Sequence, residues 1–156
     1  MKKVSTMFLR SVIYLISAGV LALCVFVLPR LIAAELRGDF DYGPIFVGMY
    51  LPAIPFFIGI YHALKLLHSI DTNNAFTDLS VTSLKYIKYC GFVISGLYAI
   101  GLPYIFLVAE RDDAPGVVLI GLILTFAPLT IAIFAAVLQK FFQDAIRIKT
   151  ENDLTV

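Results

Sequence analysis

The chain has 156 residues, of which 60% are hydrophobic and 15% charged, with a mean hydropathy of +0.92; a soluble domain carries ~25% charged residues. A net charge of +1 gives no electrostatic case for direct nucleic-acid binding, and two cysteines are too few for a disulfide scaffold. The composition is that of an integral membrane protein.

The first element is the charge-free run Ser11 to Pro29, preceded by Lys2, Lys3 and Arg10. A helix of ~20 residues crosses a ~30 Å hydrocarbon core, and lipid cannot satisfy exposed backbone, so the run is predicted to be a helical span over about 8–29. It is longer than the ~7–15-residue core of a signal peptide. The stretch "LALC", Leu21 to Cys24, places Leu23 where lipoprotein cleavage wants a small side chain. An uncleaved span is expected.

A connection bearing Glu35, Asp39 and Asp41 leads to a second span, Gly43 to Leu64 within about 43–66, which contains Pro52, Pro55, Gly59 and Ala63. His62 and His68 stand at its end. Six residues apart on a helix they diverge by roughly 120°, so they do not form the i, i+4 zinc pair and are expected to be ordinary interfacial side chains.

In the central loop, "SIDTNNAFTDLSVTSLKYIKY", Asn73-Asn74 suits a turn. Asp78 or Ser80 can cap a new helix, with Leu84, Ile87 and Cys90 following at helical spacing. Lys85 and Lys88 then fall near the lipid surface, where each is worth ~1 kcal/mol against anionic lipid. The third span, Tyr89 to Ala109 within about 87–109, carries Gly91, Ser95 and Ala99 at intervals of four, and Pro103. "ERDDAPG" then supplies the acids Glu110, Asp112 and Asp113, with Pro115-Gly116 as punctuation at a helix start.

The fourth span, Ala114 to Gln139 (114–139), includes Gly121, Thr125 and Pro128. Its prolines, like the others, read first as residues that membrane helices tolerate; hinges are the functional alternative. The tail, 140–156, opens with an apolar stripe at Phe141, Phe142, Ala145 and Ile146 that continues from Leu138. That stripe suits the lipid surface or the central loop, and the closing "TENDLTV" loses it.

Charge sets the expected orientation. Nine of the twelve Lys and Arg residues (Lys2, Lys3, Arg10, Lys65, Lys85, Lys88, Lys140, Arg147, Lys149) fall on one side, and Arg30, Arg37 and Arg111 on the other. The positive-inside rule then puts both termini and the central loop in the cytoplasm. Tyrosines fall toward both interfaces, Tyr42, Tyr50 and Tyr104 outside and Tyr61, Tyr86 and Tyr89 inside, as their amphipathic rings prefer. Cys24 and Cys90 then lie in opposite leaflets, too far for a disulfide, which needs Cα atoms within ~7 Å.

The small residues in each span fit close helix packing, and the expected fold is all-α, a single four-span domain forming a compact four-helix bundle. No Asp, Glu, Lys, Arg or His lies mid-span, which argues against an ion-coupled pump or an intramembrane metalloprotease. There is no Gly-rich phosphate loop, no Cys-x-x-Cys and no nucleophile elbow. A non-enzymatic protein without metal or cofactor is expected.

The loop "NNAFTDLSVTSLKYIKYC", the segment "DDAPGVVLIGL" and the ending "FAAVLQKFFQDAIRIKTENDLTV" together resemble the bacterial DUF2975 family, small four-span proteins mostly of Gram-positive bacteria. The resemblance covers nearly the whole chain and places it in the bacterial plasma membrane. It also implies a genetic neighbour, a small helix-turn-helix regulator of the Cro/repressor type, and carries over no catalytic residues. The expectation is a membrane-bound regulator or sensor contacting such a cytoplasmic partner through Asp78, Lys85, Lys88, Arg147, Lys149, Glu151, Asn152 and Asp153. The alternative is an immunity or resistance protein, or a small transporter, acting through the outer acids Glu110, Asp112 and Asp113 and the bundle cavity. Small-residue seams serve oligomerisation as readily as internal packing, so a homo-oligomer is open at this stage.

Overall fold

The computed structural model describes residues 2–38, 48, 50–73 and 75–154, the side chains at 2, 3, 28, 31, 34 and 35 apart. Within them are four helices long and apolar enough to cross a membrane: α1 (Lys2–Leu36), α2 (Ala53–Asp71), α3 (Asp78–Arg111) and α4 (Pro115–Leu154). The expected beginning of the second span (43–47), Asp39, Asp41, Tyr42 and the side chain of Glu35 lie outside the described residues.

Boundaries differ from expectation where absence of charge was taken as the limit of a helix. α1 continues through Pro29 to Leu36. α4 runs for 40 residues to Leu154, ~60 Å at 1.5 Å per residue, about twice the hydrocarbon thickness. Thus "TENDL" is the end of a helix, not a separate polar segment. Pro52 and Pro55 do not interrupt α2. Pro52 is its N-cap, and Pro55 lies in the first turn, where a missing N–H costs no helical hydrogen bond. Pro103 and Pro128 do lie inside α3 and α4.

The helix ends have local causes. Asn73 takes φ 60 and donates its N–H to the Ile70 carbonyl at 3.2 Å, closing α2 in the left-handed conformation that asparagine tolerates. Neither expected cap is used: Thr77, one residue before Asp78 and three before Ser80, extended at φ −127 and ψ 160, is the N-cap of α3. Asp78 instead places a carboxylate in the first turn, where the helix dipole favours it. Between α3 and α4, Asp113 turns at φ 49 while the Ala114 N–H reaches back to the Ala109 carbonyl at 2.9 Å. Pro115 then opens α4.

The interior is made of small side chains. Ala132, Ala135, Ser80, Ser83, Ser95 and Thr125 are buried, whereas Phe8, Leu15, Phe26, Ile100, Leu107 and Phe134 are exposed. Lipid tails are as apolar as leucine, so large apolar residues gain nothing by turning inward, and close backbone approach through small residues decides the packing. Gly91 is the tightest point: a Cβ there would stand 2.8 Å from the Ala132 Cβ and 2.9 Å from the Pro128 carbonyl oxygen. Next to it the Ser95 hydroxyl donates to the Thr125 carbonyl at 2.8 Å, a bond of ~0.6 kcal/mol on average within a membrane. Of the expected small-residue row on α3, Gly91 and Ser95 face α4, and Ala99 is exposed. A Cβ added at Gly59 would stand 3.5 Å from the Cys90 Cβ, an ordinary van der Waals distance.

Close backbone approaches among the described residues occur only between helices consecutive in sequence. They are most extensive between α3 and α4, less so between α2 and α3, and least between α1 and α2. The packing expected of a compact bundle is therefore graded, closest along the α3–α4 seam and weakest where α1 meets α2.

Candidate functional site

One end of the molecule gathers the beginning of α1, the end of α2, the start of α3 and the tail of α4. Arg10 Nη2 lies 3.3 Å from Asp71 Oδ2, which ties α1 to α2. Phe76, from the central loop, meets Phe142 edge-to-face with ring centroids 5.2 Å apart, which ties the loop to the tail. Leu67, Ser69, Ser80, Ser83, Leu84 and Thr6 are buried. The basic residues that composition assigned to one side accordingly share one end of the fold.

The eight residues singled out as partner contacts do not form one site. Asp78 opens α3 beside the Phe76–Phe142 contact. Arg147 lies about 7.5 Å farther along α4 than Phe142, at five residues of rise. From there to Leu154 every residue is exposed, Lys149, Glu151, Asn152 and Asp153 included. Arg147 faces Asp144 at 3.9 Å across one turn, an exposed contact of little energetic weight. The last two turns of α4 thus project as a charged helix, with Ile148 and Leu154 as exposed apolar members.

Lys85 and Lys88 stand elsewhere, on α3 where its charge-free run begins. Their ammonium groups lie 6.0 Å and 4.9 Å from the centroid of the Tyr89 ring, within the range of a cation–π contact. Behind them His62 of α2 stacks on Tyr86 of α3, with centroids 4.5 Å apart and planes 9° from parallel, and Tyr61 meets its edge at 5.3 Å. His62 is a half-buried packing element between two helices rather than a surface group; its Nδ1 is buried without a hydrogen-bond partner. His68 is exposed. Among the described residues no group of three or more His, Cys, Asp or Glu is placed to hold a metal ion.

At the opposite end Glu110, Asp112 and Asp113 are exposed around the α3–α4 turn. Tyr50 donates its hydroxyl to the Cys24 carbonyl at 3.3 Å, and both cysteines are free. Between α3 and α4 lies an apolar cavity of about 280 Å³, lined by Tyr98, Gly101, Tyr104, Ile105, Val117 and Leu124 among others. Among the described residues no carboxylate, lysine or arginine lines it.

Residues 39–156 match the family described as protein of unknown function, DUF2975. The chain belongs to the DUF2975 family. It is also 50% identical, over the full length of both chains, to the uncharacterized membrane protein YoaS of Bacillus subtilis strain 168. No solved structure matches. The DUF2975 match begins just after α1, so the family pattern is carried by α2 to α4, the part of the chain that packs most closely.

Sequence reading missed two contacts that organise the basic end, Arg10–Asp71 and Phe76–Phe142. Phe76 did offer a signal, as a lone aromatic in the polar loop "NNAFTD". Its partner Phe142 belongs to the apolar stripe that suited the lipid surface or the central loop, and it meets the loop.

Proposed function

We propose that this DUF2975 protein is a non-enzymatic, multi-pass protein of the bacterial plasma membrane that holds a cytoplasmic helix-turn-helix transcription regulator. In this reading both termini face the cytoplasm, in accord with nine basic residues at one end and the positive-inside rule. The observation that carries the reading is the projecting end of α4, exposed from Arg147 to Leu154. A helix ordered beyond the lipid loses little further entropy on binding, which favours it as a docking element. Arg147, Lys149, Glu151, Asn152 and Asp153 supply the charged contacts, with Asp78 at the base.

The test is co-purification of the neighbouring regulator from native membranes with full-length protein and with a variant lacking Thr150 to Val156. Among the described residues of that stretch, Thr150 to Leu154, none is buried, so the shortened chain is expected to insert and fold as before. Recovery of the regulator is expected to fall at least tenfold, the effect of ~1.4 kcal/mol. Undiminished recovery with unchanged target expression would remove the tail from the mechanism.

The apolar cavity favours a second reading, an immunity or resistance protein acting at the opposite end. Val108 and Val117, on either side of the acidic turn, both line that cavity. Under this reading, combined Glu110→Gln, Asp112→Asn and Asp113→Asn changes shift sensitivity to cationic antimicrobial peptides. Under the first reading they leave it unchanged.

A further inference from the structure

The basic end contains a pair of cations that the projecting tail does not use. Lys85, Lys88 and Tyr89 occupy one face of α3 at i, i+3 and i+4. Both ammonium groups converge on the Tyr89 ring, and Lys88 is half-buried, so its stem is held against the helix. Neither ammonium is paired with a carboxylate, since the ion pairs among the described residues are Arg10–Asp71 and Arg147–Asp144. The His62–Tyr86 stack aligns α2 with α3, and by helical rise Lys65, three residues further along α2, comes nearer the level of Lys85 than that of Lys88.

The depth of that layer decides what occupies it. Tyr89 opens the charge-free run of α3 that ends at Ala109, long enough to cross the ~30 Å hydrocarbon core. Lys88 is the residue immediately before it, and Lys85 lies ~4.5 Å farther out by helical rise. The polar layer beyond the hydrocarbon is roughly 5–7 Å thick on each side. Both ammonium groups are thus within reach of lipid phosphates, where a cytoplasmic protein would first have to displace lipid. A tyrosine at this depth is the usual interfacial anchor.

We infer that Lys85 and Lys88, braced by Tyr89, form a binding site for the phosphate of an anionic phospholipid in the leaflet at the basic end. The two ammonium groups donate to the phosphodiester oxygens. The Tyr89 ring holds the cations in place by its π-face and lies along the first methylenes of the lipid. Lys65 adds long-range attraction.

The full chain in nanodiscs of phosphatidylcholine with a minor fraction of phosphatidylglycerol provides the test. Protein released into mild detergent is examined by native mass spectrometry for bound lipid. The wild type is expected to retain phosphatidylglycerol in preference to phosphatidylcholine. The Lys85→Gln/Lys88→Gln variant, changed only at side chains outside the packed seam, is expected to lose that preference by roughly tenfold. The charge-matched Arg147→Gln/Lys149→Gln variant is expected to keep it. Equal loss in both variants would mean general attraction by net charge, and no loss in the first would mean no site; either overturns the inference. Displacement of the lipid by millimolar inorganic phosphate would overturn the lipid assignment in favour of a free-anion site. Because neither arm measures regulator recovery, the outcome is independent of the tail-deletion experiment.

Discussion

Gly91→Leu is expected to separate α3 from α4, and Gly96→Leu is expected to leave them together. At Gly91 the first added carbon already falls 2.8 Å from the Ala132 Cβ and 2.9 Å from a backbone oxygen, that of Pro128. A side-chain end can swing aside; a backbone carbonyl inside a helix cannot, so the helices must move. Overpacking of this kind costs ~1–3 kcal/mol and occasionally more. Separation would also break the buried hydrogen bond from Ser95 to Thr125. At Gly96 an added Cβ meets nothing within 4 Å, and leucine there only enlarges the lipid-facing surface while gaining ~1 kcal/mol of helix propensity over glycine. Unfolding of both variants by sodium dodecyl sulfate titration, followed by circular dichroism, checks the contrast. Equal midpoints would mean that the α3–α4 seam does not hold the fold together.

The second large effect is expected at Leu84. It is 2% exposed, in a molecule whose other large apolar side chains mostly face outward. It sits near the start of α3, beside the buried Ser80 and Ser83. Leu84→Ala removes a filled volume that small neighbours cannot replace, and truncations of this type cost ~2–5 kcal/mol. Phe134→Ala deletes a larger side chain, but Phe134 is 65% exposed, and lipid fills the space. The expected order of denaturation midpoints is therefore wild type, close to Phe134→Ala, with Leu84→Ala well below. A scale based on side-chain size alone gives the opposite order.

The four helices were legible because a run of ~20 residues without charge has few other fates in a membrane protein. The grouping of basic residues at one end was legible for the same reason: each crossing reverses the side. What escaped were features that hydrophobicity does not encode. Arg30 ended the apparent first span, yet α1 continues past it to Leu36, since a helix outside the hydrocarbon does not require apolar side chains. The loss of the apolar stripe after Ile146 marks the end of burial, not the end of the helix. Lys149 and Glu151 are good helix formers, and α4 carries on through them. Threonine, aspartate and serine all cap helices; the extended backbone at Thr77 selects one, and composition does not. Of the candidate site residues, the tail group proved contiguous because it lies on one helix. Lys85 and Lys88 were grouped with it by charge alone and belong to a different depth.

The restriction of close packing to consecutive helices bears on how the protein is made. When α2 emerges from the ribosome its packing partner is already in the bilayer, and the same holds for α3 and α4. Among the described residues no helix packs on one that is not its neighbour in sequence, so each helix meets its partner as soon as it is made. The best-fitted pair is completed last. The closest approach in the fold, Ala132 against Gly91, therefore waits for the helix that is synthesised last.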